Sequence, residues 1–480
     1  MTTDGPRDPG DHDSGRMHRY TDETERLAQA VLRYARDRMR MDPPLDGPCE
    51  PAEIAARAGR TITEEGLGGE TALRVFTDVI APGVVSSDHP RYLAFIPTAP
   101  TEASTLFDLV VGASSIYGGS WLEGSGAVFA ENQALRWVAD LAGLPAGAGG
   151  AFVQGGTLGN LSALVAAREA ARARRAATGR AAPARWVVAV TDETHSSVVE
   201  AARVMDVDVL AVAGDERGRL TGEALRAALA ALDAAALDAA DAAVADGLFA
   251  IVATAGSTNL GIVDDIAGVA DVAAERGAWL HVDGAYGGAA LAAPSVRHLF
   301  AGVERADSFI VDPHKWLFAP YDACALVYRD PAIARAAHTQ HAGYLDAVAH
   351  VEGEWNPSDY AIHLTRRARG LPFWFSLATH GTRAYTDAIE ATISLAREVA
   401  DEIRRRPYVE LVVEPELSVV AFRRIGWDRA DYERWSDRLL RSGVAFVTPT
   451  RHRGETITRF AIVNPRTTLA DLTAILATMA

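Results

Sequence analysis

The stretch Ser308-Phe309-Ile310-Val311-Asp312-Pro313-His314-Lys315-Trp316 joins a short apolar run to a polar motif that contains a lysine. An apolar run of this length, followed at once by a proline-containing turn, predicts a buried strand. Ligands of doubly wound sheets bind at the carboxyl ends of the strands, so Lys315 is expected to face a crevice. A neutral lysine amine held there can form a Schiff base. Taken alone, however, a single lysine is usually a solvated surface residue.

Similar apolar runs recur through the middle of the chain and alternate with segments of helical periodicity. The predicted strands are Trp186–Val190, Val207–Val212, Leu248–Ala253, Trp279–Val282, Phe309–Val311 and Ala325–Tyr328. The helices predicted between them include Leu158–Arg175, Ser196–Met205, Gly222–Ala240 and Ile266–Arg276. Strands that are apolar throughout and separated by helices predict an α/β fold, with a parallel or mixed sheet covered on both faces.

The two ends of the chain differ from this middle part. Residues 1–18 are rich in Gly, Asp and Pro and are expected to be disordered. Asp22–Arg40 has helical periodicity, and the C-terminal part combines a long predicted helix, Arg383–Arg406, with short strands. The sequence therefore predicts a tail (1–18), an N-terminal segment (19–88), a large domain (89–382) and a small α+β domain (383–480).

Composition excludes several classes of function. The chain has 47 Lys and Arg against 63 Asp and Glu, a net charge of −16, and so acidic a surface repels nucleic acid. Cys49 and Cys324 are the only cysteines, so neither a disulfide framework nor a cysteine-based zinc site is expected. His338 and His341 lack a nearby carboxylate pair, and no metal site is predicted. Without a membrane-spanning run or a signal peptide, the expected protein is a cytoplasmic enzyme with no membrane partner.

Three further motifs follow predicted strands or open predicted helices. Asp283 closes a strand, where a carboxylate can hold a ring nitrogen protonated or can simply cap a turn. Gly155-Gly156-Thr157 precedes a helix whose free N–H groups can bind a phosphate, although a glycine pair is more often only a turn. His195 follows the strand ending near Thr191 and can stack on an aromatic cofactor or cap a helix.

Together these motifs offer an amine for an aldehyde, a carboxylate for a pyridinium, a helix end for a phosphate and an aromatic lid. Pyridoxal 5′-phosphate has the four complementary groups. A phosphate site made of backbone N–H groups needs no basic residue, so the negative net charge of the chain does not exclude this cofactor.

The order of these motifs is typical of one family. Along the chain they are Gln154-Gly155-Gly156-Thr157, Thr194-His195-Ser196-Ser197, His281-Val282-Asp283-Gly284-Ala285-Tyr286 and Asp312-Pro313-His314-Lys315-Trp316. The chain closely resembles the group II pyridoxal-phosphate-dependent amino acid decarboxylases of the aromatic L-amino acid decarboxylase type, from about His89 to Ala384. The resemblance implies the fold-type I transferase architecture, with residues 89–382 as the cofactor domain. It also implies an obligate homodimer, formed partly through residues 19–88, with the active site at the interface.

The resemblance assigns roles residue by residue. Lys315 matches the lysine that holds the cofactor as a Schiff base, Asp283 the acid on the ring nitrogen, and His195 the histidine stacked on the ring. Tyr344 matches the mobile-loop tyrosine that protonates the carbanion after carbon dioxide leaves, and it completes the catalytic set. The other cofactor-binding positions are Gly156, Thr157, Thr254, Ala285 and His314. The positions that match substrate contacts are Phe95, Ile96, Thr98 and Thr365.

The resemblance implies that an L-amino acid, aromatic or related, is decarboxylated to the amine and carbon dioxide. Asp312 lies where some relatives carry Asn, and its role stays open. Thr365 lies where relatives often carry Gly or Ser. These departures leave an alternative, a decarboxylase-like enzyme of specialised metabolism that diverts the carbanion to oxidative deamination or to β-elimination from a cysteine S-conjugate. A non-catalytic relative acting as a regulatory dimer is disfavoured by the complete set of cofactor residues.

Overall fold

A computed structural model of the protein describes residues 15–45, 47–235, 246–343, 345 and 351–480. Most of the predicted tail, the catalytic candidate Tyr344 and the last part of the predicted helix Gly222–Ala240 lie outside the described residues. The chain forms two compact units, one that ends at Ser86 and one that runs from Ser87 to Ala480.

The first unit contains three helices. They are α1 (Asp22–Arg40), α2 (Pro51–Ala58) and α3 (Gly69–Val75). Helix α1 begins and ends where its periodicity predicts, and the Thr21 hydroxyl caps it by accepting a hydrogen bond from the Thr24 N–H. No side chain of these three helices is fully buried. The apolar positions of α1 therefore have no core of their own within this unit.

The second unit alternates helices and strands as the sequence predicts. Its elements up to the seventh strand are α4 (Glu102–Ala113), α5 (Trp121–Leu141), β1 (Gly149–Val153), α6 (Gly156–Ala177), β2 (Val187–Thr191), α7 (Ser196–Val204), β3 (Asp208–Val212), α8 (Gly222–Ala235), β4 (Leu248–Thr254), α9 (Ile266–Arg276), β5 (Trp279–Asp283), β6 (Ser308–Val311) and β7 (Cys324–Tyr328). The six predicted strands are all present, each within two residues of its predicted ends.

The strands of this part form a seven-stranded sheet in the order β1-β7-β6-β5-β4-β2-β3. Neighbours from β3 to β6 are parallel, and only β7 runs against both of its neighbours. Apolar side chains of the strands pack on both faces of the sheet, in two separate core clusters. The predicted α/β class with a mostly parallel, helix-covered sheet is confirmed.

The rest of the second unit begins with a helix that packs on α6 of the large part and continues into a smaller layer. Its elements are α10 (Pro331–His338), α11 (Leu371–Arg404), β8 (Val409–Leu411), β9 (Val419–Arg424), α12 (Arg429–Arg441), β10 (Pro449–His452), β11 (Glu455–Ala461) and α13 (Leu469–Ala477). Its four strands form an antiparallel sheet in the order β10-β11-β9-β8, which has its own apolar cluster. Helix α11 is broken at Gly381, where φ is +74°, just before the predicted start of a helix at Arg383. The predicted small α+β part is confirmed.

Within the described residues, no helix is long and apolar enough to cross a membrane.

Candidate active site

The carboxyl ends of neighbouring parallel strands meet at one edge of the large sheet. Strand β4 ends at Thr254 and β5 at Asp283, and these two residues are paired in register. Asp312 follows β6 directly and begins the turn that carries Lys315. A cavity of about 300 Å³ opens at this edge, the place where doubly wound sheets bind ligands. All eight positions expected to bind the cofactor line it, namely Gly156, Thr157, His195, Thr254, Asp283, Ala285, His314 and Lys315.

The amino end of α6 forms one wall of the cavity. Gly155 precedes the helix without a side-chain hydrogen bond to cap it, so the first N–H groups stay open to a ligand. A β-carbon on Gly156 would lie 3.1 Å from Ala285 Cβ and 3.3 Å from Asp312 Oδ2. Glycine at this position therefore keeps the space in front of the helix end free, as a bound phosphate requires.

Lys315 forms an ion pair with the residue whose role the sequence leaves open. Its Nζ lies 2.9 Å from Asp312 Oδ2. Burial lowers the pKa of Lys315, but the negative charge of Asp312 and a hydrogen bond to it outweigh that effect and raise the pKa. Burial also raises the pKa of Asp312, and the charges of Lys315 and His314 outweigh it and lower the pKa. At neutral pH the two side chains are thus an ammonium and a carboxylate.

Lys315 is also the only lysine in the 480-residue sequence. Every other member of the 47 Lys and Arg is an arginine, which carries the same charge but stays protonated at any physiological pH. Charge alone would not require a lysine at position 315. The exception therefore points to chemistry that needs an amine able to lose its proton.

Asp283 and His195 face the same cavity with defined hydrogen bonds. Asp283 Oδ1 accepts from the Ala285 N–H at 3.0 Å, and Oδ2 accepts from Asn160 Nδ2 at 2.8 Å. The Ser197 N–H donates to His195 Nδ1 at 3.2 Å. Burial lowers the pKa of His195, although the charge of Asp283 opposes this, so its imidazole is neutral at pH 7.

The site fits pyridoxal phosphate. Thr254 Oγ1 is buried and has no hydrogen-bond partner among the described residues, which is typical of a group that awaits a ligand. The uncapped end of α6 suits a phosphate, Asp283 a protonated pyridine nitrogen, and Lys315 an aldehyde. When bound, the cofactor would supply an electron-accepting ring at this point.

Comparison with known proteins also points to an enzyme that uses pyridoxal phosphate. Residues 61–425 match the model of the pyridoxal-dependent decarboxylase conserved domain, which is more than half of the chain. The chain belongs to this family. It is 30% identical over 427 residues to the aromatic-L-amino-acid decarboxylase of Bacillus atrophaeus, covering 87% of this chain and 86% of that protein. It is 32% identical over 418 residues to tryptophan decarboxylase 1 of Oryza sativa subsp. japonica, covering 82% of this chain and 80% of that protein.

Solved structures agree with the sequence comparison. The crystal structure of Oryza sativa TDC with PLP and tryptamine has a TM-score of 0.83 at 26% identity, covering 99% of this chain and 98% of that chain. The Rhodiola rosea 4-hydroxyphenylacetaldehyde synthase has a TM-score of 0.81 at 22% identity, covering 98% of each chain, and it shares the fold. The protein is therefore a pyridoxal-phosphate-dependent amino acid decarboxylase.

The four expected substrate positions of the decarboxylase do not line this cavity within one chain. Phe95 is 58% exposed, at a φ of +52°, with its ring 6.0 Å from that of Phe446. Ile96 and Thr98 are buried, and the Thr98 hydroxyl donates to the Ala319 carbonyl at 2.9 Å. Thr365 is exposed. Their contact with substrate stays a prediction.

The cavity of the decarboxylase also contains residues to which the sequence analysis assigned no role. Asn160, Ser197, Gly256, Thr258 and Tyr286 line it. The position of Asn160 carries a signal that could have been used, because it follows Gly156 by four residues and so lies on the same face of α6. Arg459 on β11 carried no such signal. It is buried, its pKa is lowered by burial to about 10, and its Nη1 donates to the Phe95 carbonyl at 2.6 Å.

Proposed function

We propose that the enzyme converts an aromatic L-amino acid to the corresponding amine and carbon dioxide, with pyridoxal phosphate attached to Lys315. The observation that carries this proposal is that the only lysine of the chain lies in the cavity with Asp283 and His195. An amine that can be deprotonated is thus kept at the one place where a cofactor aldehyde would meet a carboxylate for its ring nitrogen.

In this proposal each side chain has a separate task. Asp283 would hold the cofactor ring nitrogen protonated, and the bound ring would supply the electron sink that decarboxylation needs. His195 covers one face of the ring, and Ala285, with its small side chain, packs on the other. The open N–H groups of α6, with Thr157 and His314, hold the phosphate. Thr254 donates its unpaired hydroxyl to the ring side of the cofactor.

Protonation of the product carbon is assigned to Tyr344. A tyrosine on a loop that closes over the substrate can deliver a proton where water is excluded. Lys315 would hold the cofactor again once the amine product has left. Arg459 is a buried cation near Phe95, and its charge suits the carboxylate of an amino acid.

An aromatic substrate is supported by the relatives and by the surroundings of Phe95. The relatives of at least 30% identity named above act, by their names, on aromatic L-amino acids or on tryptophan. Tyr92, Phe95 and Phe446 form a group of edge-to-face aromatic contacts beside the expected substrate stretch. Aromatic surfaces of this kind bind a flat apolar side chain well.

We also propose that the enzyme is a cytoplasmic homodimer with the active site at the interface. Helices α4 and α5 expose large apolar side chains, namely Leu106, Leu109, Val110, Leu122 and Phe129. Exposed apolar groups of this number mark a surface that another protein covers. In the dimer, residues 19–88 would serve as the dimerisation segment, 89–382 as the cofactor domain and 383–480 as the small domain. In this dimer the substrate contact by Thr365 would come from the partner, whereas Phe95, Ile96 and Thr98 would belong to the same chain as Arg459.

A substrate panel tests the reaction. Purified enzyme with added pyridoxal phosphate is incubated with tryptophan, tyrosine, phenylalanine, dihydroxyphenylalanine, glutamate and a cysteine S-conjugate, and carbon dioxide, amine, ammonia and hydrogen peroxide are measured. The proposal expects equal amounts of carbon dioxide and amine from an aromatic member. Peroxide or ammonia in amounts equal to the substrate used would favour the diverted reaction instead. Lys315→Arg is the matched control, since it keeps the charge but not a reactive amine.

A further inference from the structure

A chain of buried hydrogen bonds lies behind the two side chains that face the cofactor ring. Its members, here called the Asn160 chain, are Trp279, Ser308, His281, Asn160, Ser197 and His195, with a branch from Asn160 to Asp283. The Asn160, His281 and Ser308 side chains are completely buried. His281, Ser308 and Trp279 do not line the cavity, so a ligand there would not touch them.

Asn160 is the branch point of this chain. Its Nδ2 lies 2.8 Å from Asp283 Oδ2 and 2.9 Å from Ser197 Oγ, and its Oδ1 lies 2.8 Å from His281 Nε2. Both amide hydrogens are therefore used, one for each arm that leads to the cavity. The Asn160 amide therefore holds two functional side chains in place. It binds directly to Asp283, the carboxylate expected at the ring nitrogen, and through Ser197 to His195, the imidazole expected over the ring.

The direction of every bond in the chain follows from the groups at its ends. A carboxylate can only accept, so Asp283 turns the Nδ2 of Asn160 toward itself and leaves Oδ1 for His281. His281 must then carry its hydrogen on Nε2, and its Nδ1 accepts from the Ser308 hydroxyl at 2.8 Å. The Trp279 indole, which can only donate, completes this end by donating to Ser308 Oγ at 2.8 Å.

The same argument fixes the hydrogen of His195. The Ser197 N–H can only donate, and it points at His195 Nδ1. The Ser197 hydroxyl accepts from Asn160 and donates to the same Nδ1 at 2.8 Å. His195 therefore carries its hydrogen on Nε2, which has no hydrogen-bond partner among the described residues and remains available to a ligand.

We propose that Asn160 is a positioning residue of this decarboxylase, which holds the Asp283 carboxylate in place for the cofactor ring nitrogen and keeps His195 in the Nε2–H form. His281 serves by holding the amide of Asn160 in the required orientation. This inference rests on the proposed function of Asp283 and His195. Without the Asn160 donor, the Asp283 carboxylate is held less firmly, and the ring nitrogen loses part of the contact that favours its protonated form.

The test uses a cofactor analogue that cannot react with Lys315. Pyridoxine 5′-phosphate lacks the aldehyde, and its near-ultraviolet absorbance reports whether its ring nitrogen is protonated. It is bound to the apoenzyme of the wild type, Asn160→Leu and His281→Leu at neutral pH. We expect the protonated ring form in the wild type and a clear loss of that form in both variants, although His281 never touches the analogue.

Matched variants control for the loss of buried polar groups as such. Asn464 is a buried asparagine whose Nδ2 donates to the Asp88 carbonyl at 2.9 Å, and His338 is a buried histidine whose Nε2 donates to the Ser162 carbonyl at 3.1 Å. Neither lines the cavity. Asn464→Leu and His338→Leu are expected to keep the wild-type absorbance of the bound analogue. If Asn160→Leu does not fold, Asn160→Ser and His281→Leu carry the test.

A second readout separates positioning from binding in the holoenzyme. Asn160→Leu and His281→Leu should lower kcat roughly 10- to 100-fold, the usual cost of removing a group behind a functional residue, while KM changes much less. Wild-type analogue absorbance in both variants, with unchanged kcat, would overturn the role of Asn160 and leave the proposed function intact. A wild type that shows no protonated analogue and no decarboxylation would instead overturn the proposed function.

Discussion

At the scale of single residues, the most informative contact is the ion pair between Lys315 and Asp312. A lysine attacks an aldehyde only as a neutral amine, and the pKa of Lys315 is raised by Asp312 despite burial. Asp312 therefore holds the amine protonated until a ligand enters. The carboxylate also lies 3.3 Å from where a β-carbon on Gly156 would be, close to the expected phosphate. Its pairing with Lys315 is what makes that proximity tolerable.

The ion pair leads us to predict how the pKa of Lys315 in the apoenzyme depends on Asp312. In Asp312→Asn the ammonium of Lys315 loses its nearest negative charge while burial still disfavours it, so the pKa of Lys315 falls. Labelling of Lys315 by an amine-directed reagent, followed by peptide mass analysis, should therefore reach half its maximum at a lower pH than in the wild type. Because the sequence has no other lysine, only the α-amino group competes with Lys315 for the reagent. Peptide mass analysis distinguishes labelling at these two sites. An unchanged midpoint would contradict the pairing.

Tyr344 makes a second prediction at this scale. Tyr344→Phe keeps the ring but removes the phenolic proton donor, so the carbanion lives longer and oxygen can compete for it. We expect the yield of amine per carbon dioxide to fall at least severalfold, with aldehyde, ammonia and hydrogen peroxide rising to match. Tyr360→Phe, at a buried tyrosine outside the cavity, is the control. Amine yields equal to those of the wild type would remove Tyr344 from the mechanism.

Some of the functional residues could be predicted from the sequence and others could not. Lys315, Asp283 and His195 could be assigned because each belongs to a motif at a strand or helix end. The link between Asn160 and His281 could not be predicted, because it joins α6 to β5 through two residues that are 121 positions apart in the chain. Only the fold shows that the two side chains meet. The pairing of Asp312 with Lys315 was not predicted for a different reason. A carboxylate next to an expected phosphate is electrostatically unfavourable, so no role could be assigned to Asp312 from the sequence.

At the scale of elements, the start of α6 decides whether a phosphate can bind. The helix end is open because Gly155 provides no side-chain cap and Gly156 has no β-carbon. A β-carbon at position 156 would be tighter against Ala285 than most real contacts. The wall of the cavity therefore depends on the absence of a side chain rather than on a basic residue, which is compatible with the acidic composition of the chain.

Gly156→Ala tests this helix end. The added methyl crowds Ala285 and Asp312, so we expect the apoenzyme to bind pyridoxal phosphate at least about tenfold more weakly, a loss of roughly 1.4 kcal/mol. Cofactor titration followed by absorbance gives the Kd. Gly147→Ala is the matched control, because a β-carbon there meets nothing within 4 Å. Equal Kd values for the two variants would mean that the phosphate lies elsewhere.

Elements that the sequence pattern did not predict have a physical explanation. Strand β1 begins with Gly149 and Gly150, so it lacks the apolar signal of the other strands. Glycine is required there, because a β-carbon on Gly150 would lie 1.9 Å from the Leu326 carbonyl oxygen of the neighbouring strand. Helix α11 begins at Leu371, before its predicted start, and the break at Gly381 explains why periodicity is clear only after it.

At the scale of the whole molecule, the chain is acidic overall, but several large apolar side chains of α4 and α5 are exposed. Leu109 and Phe129, on α4 and α5, are 48% and 58% exposed, which is costly for a monomer in water. A net charge of −16 keeps the protein soluble and does not by itself favour association. The apolar helices are thus the part of the surface that supports a homodimer.

Phe129→Glu tests the dimer. A charge placed in a buried apolar interface has no partner and costs several kcal/mol, so the variant should be mainly monomeric at micromolar concentration. Sedimentation analysis gives the mass of each species. Ile425→Glu, also at an exposed apolar residue but in the small α+β part, should behave as the wild type. If the active site needs both chains, the monomer will also lose most of its activity. A Phe129→Glu variant that remains a dimer would place the interface elsewhere.

In the proposed function Lys315 carries the cofactor, and chemical reduction of the holoenzyme tests this attachment. The holoenzyme is reduced with borohydride, which makes the attachment permanent, and the protein is digested and analysed by mass spectrometry. We expect one pyridoxyl group per chain, on the peptide that contains Asp312-Pro313-His314-Lys315-Trp316. No adduct on Lys315 in an enzyme that still releases carbon dioxide, or an adduct on the α-amino group alone, would contradict it.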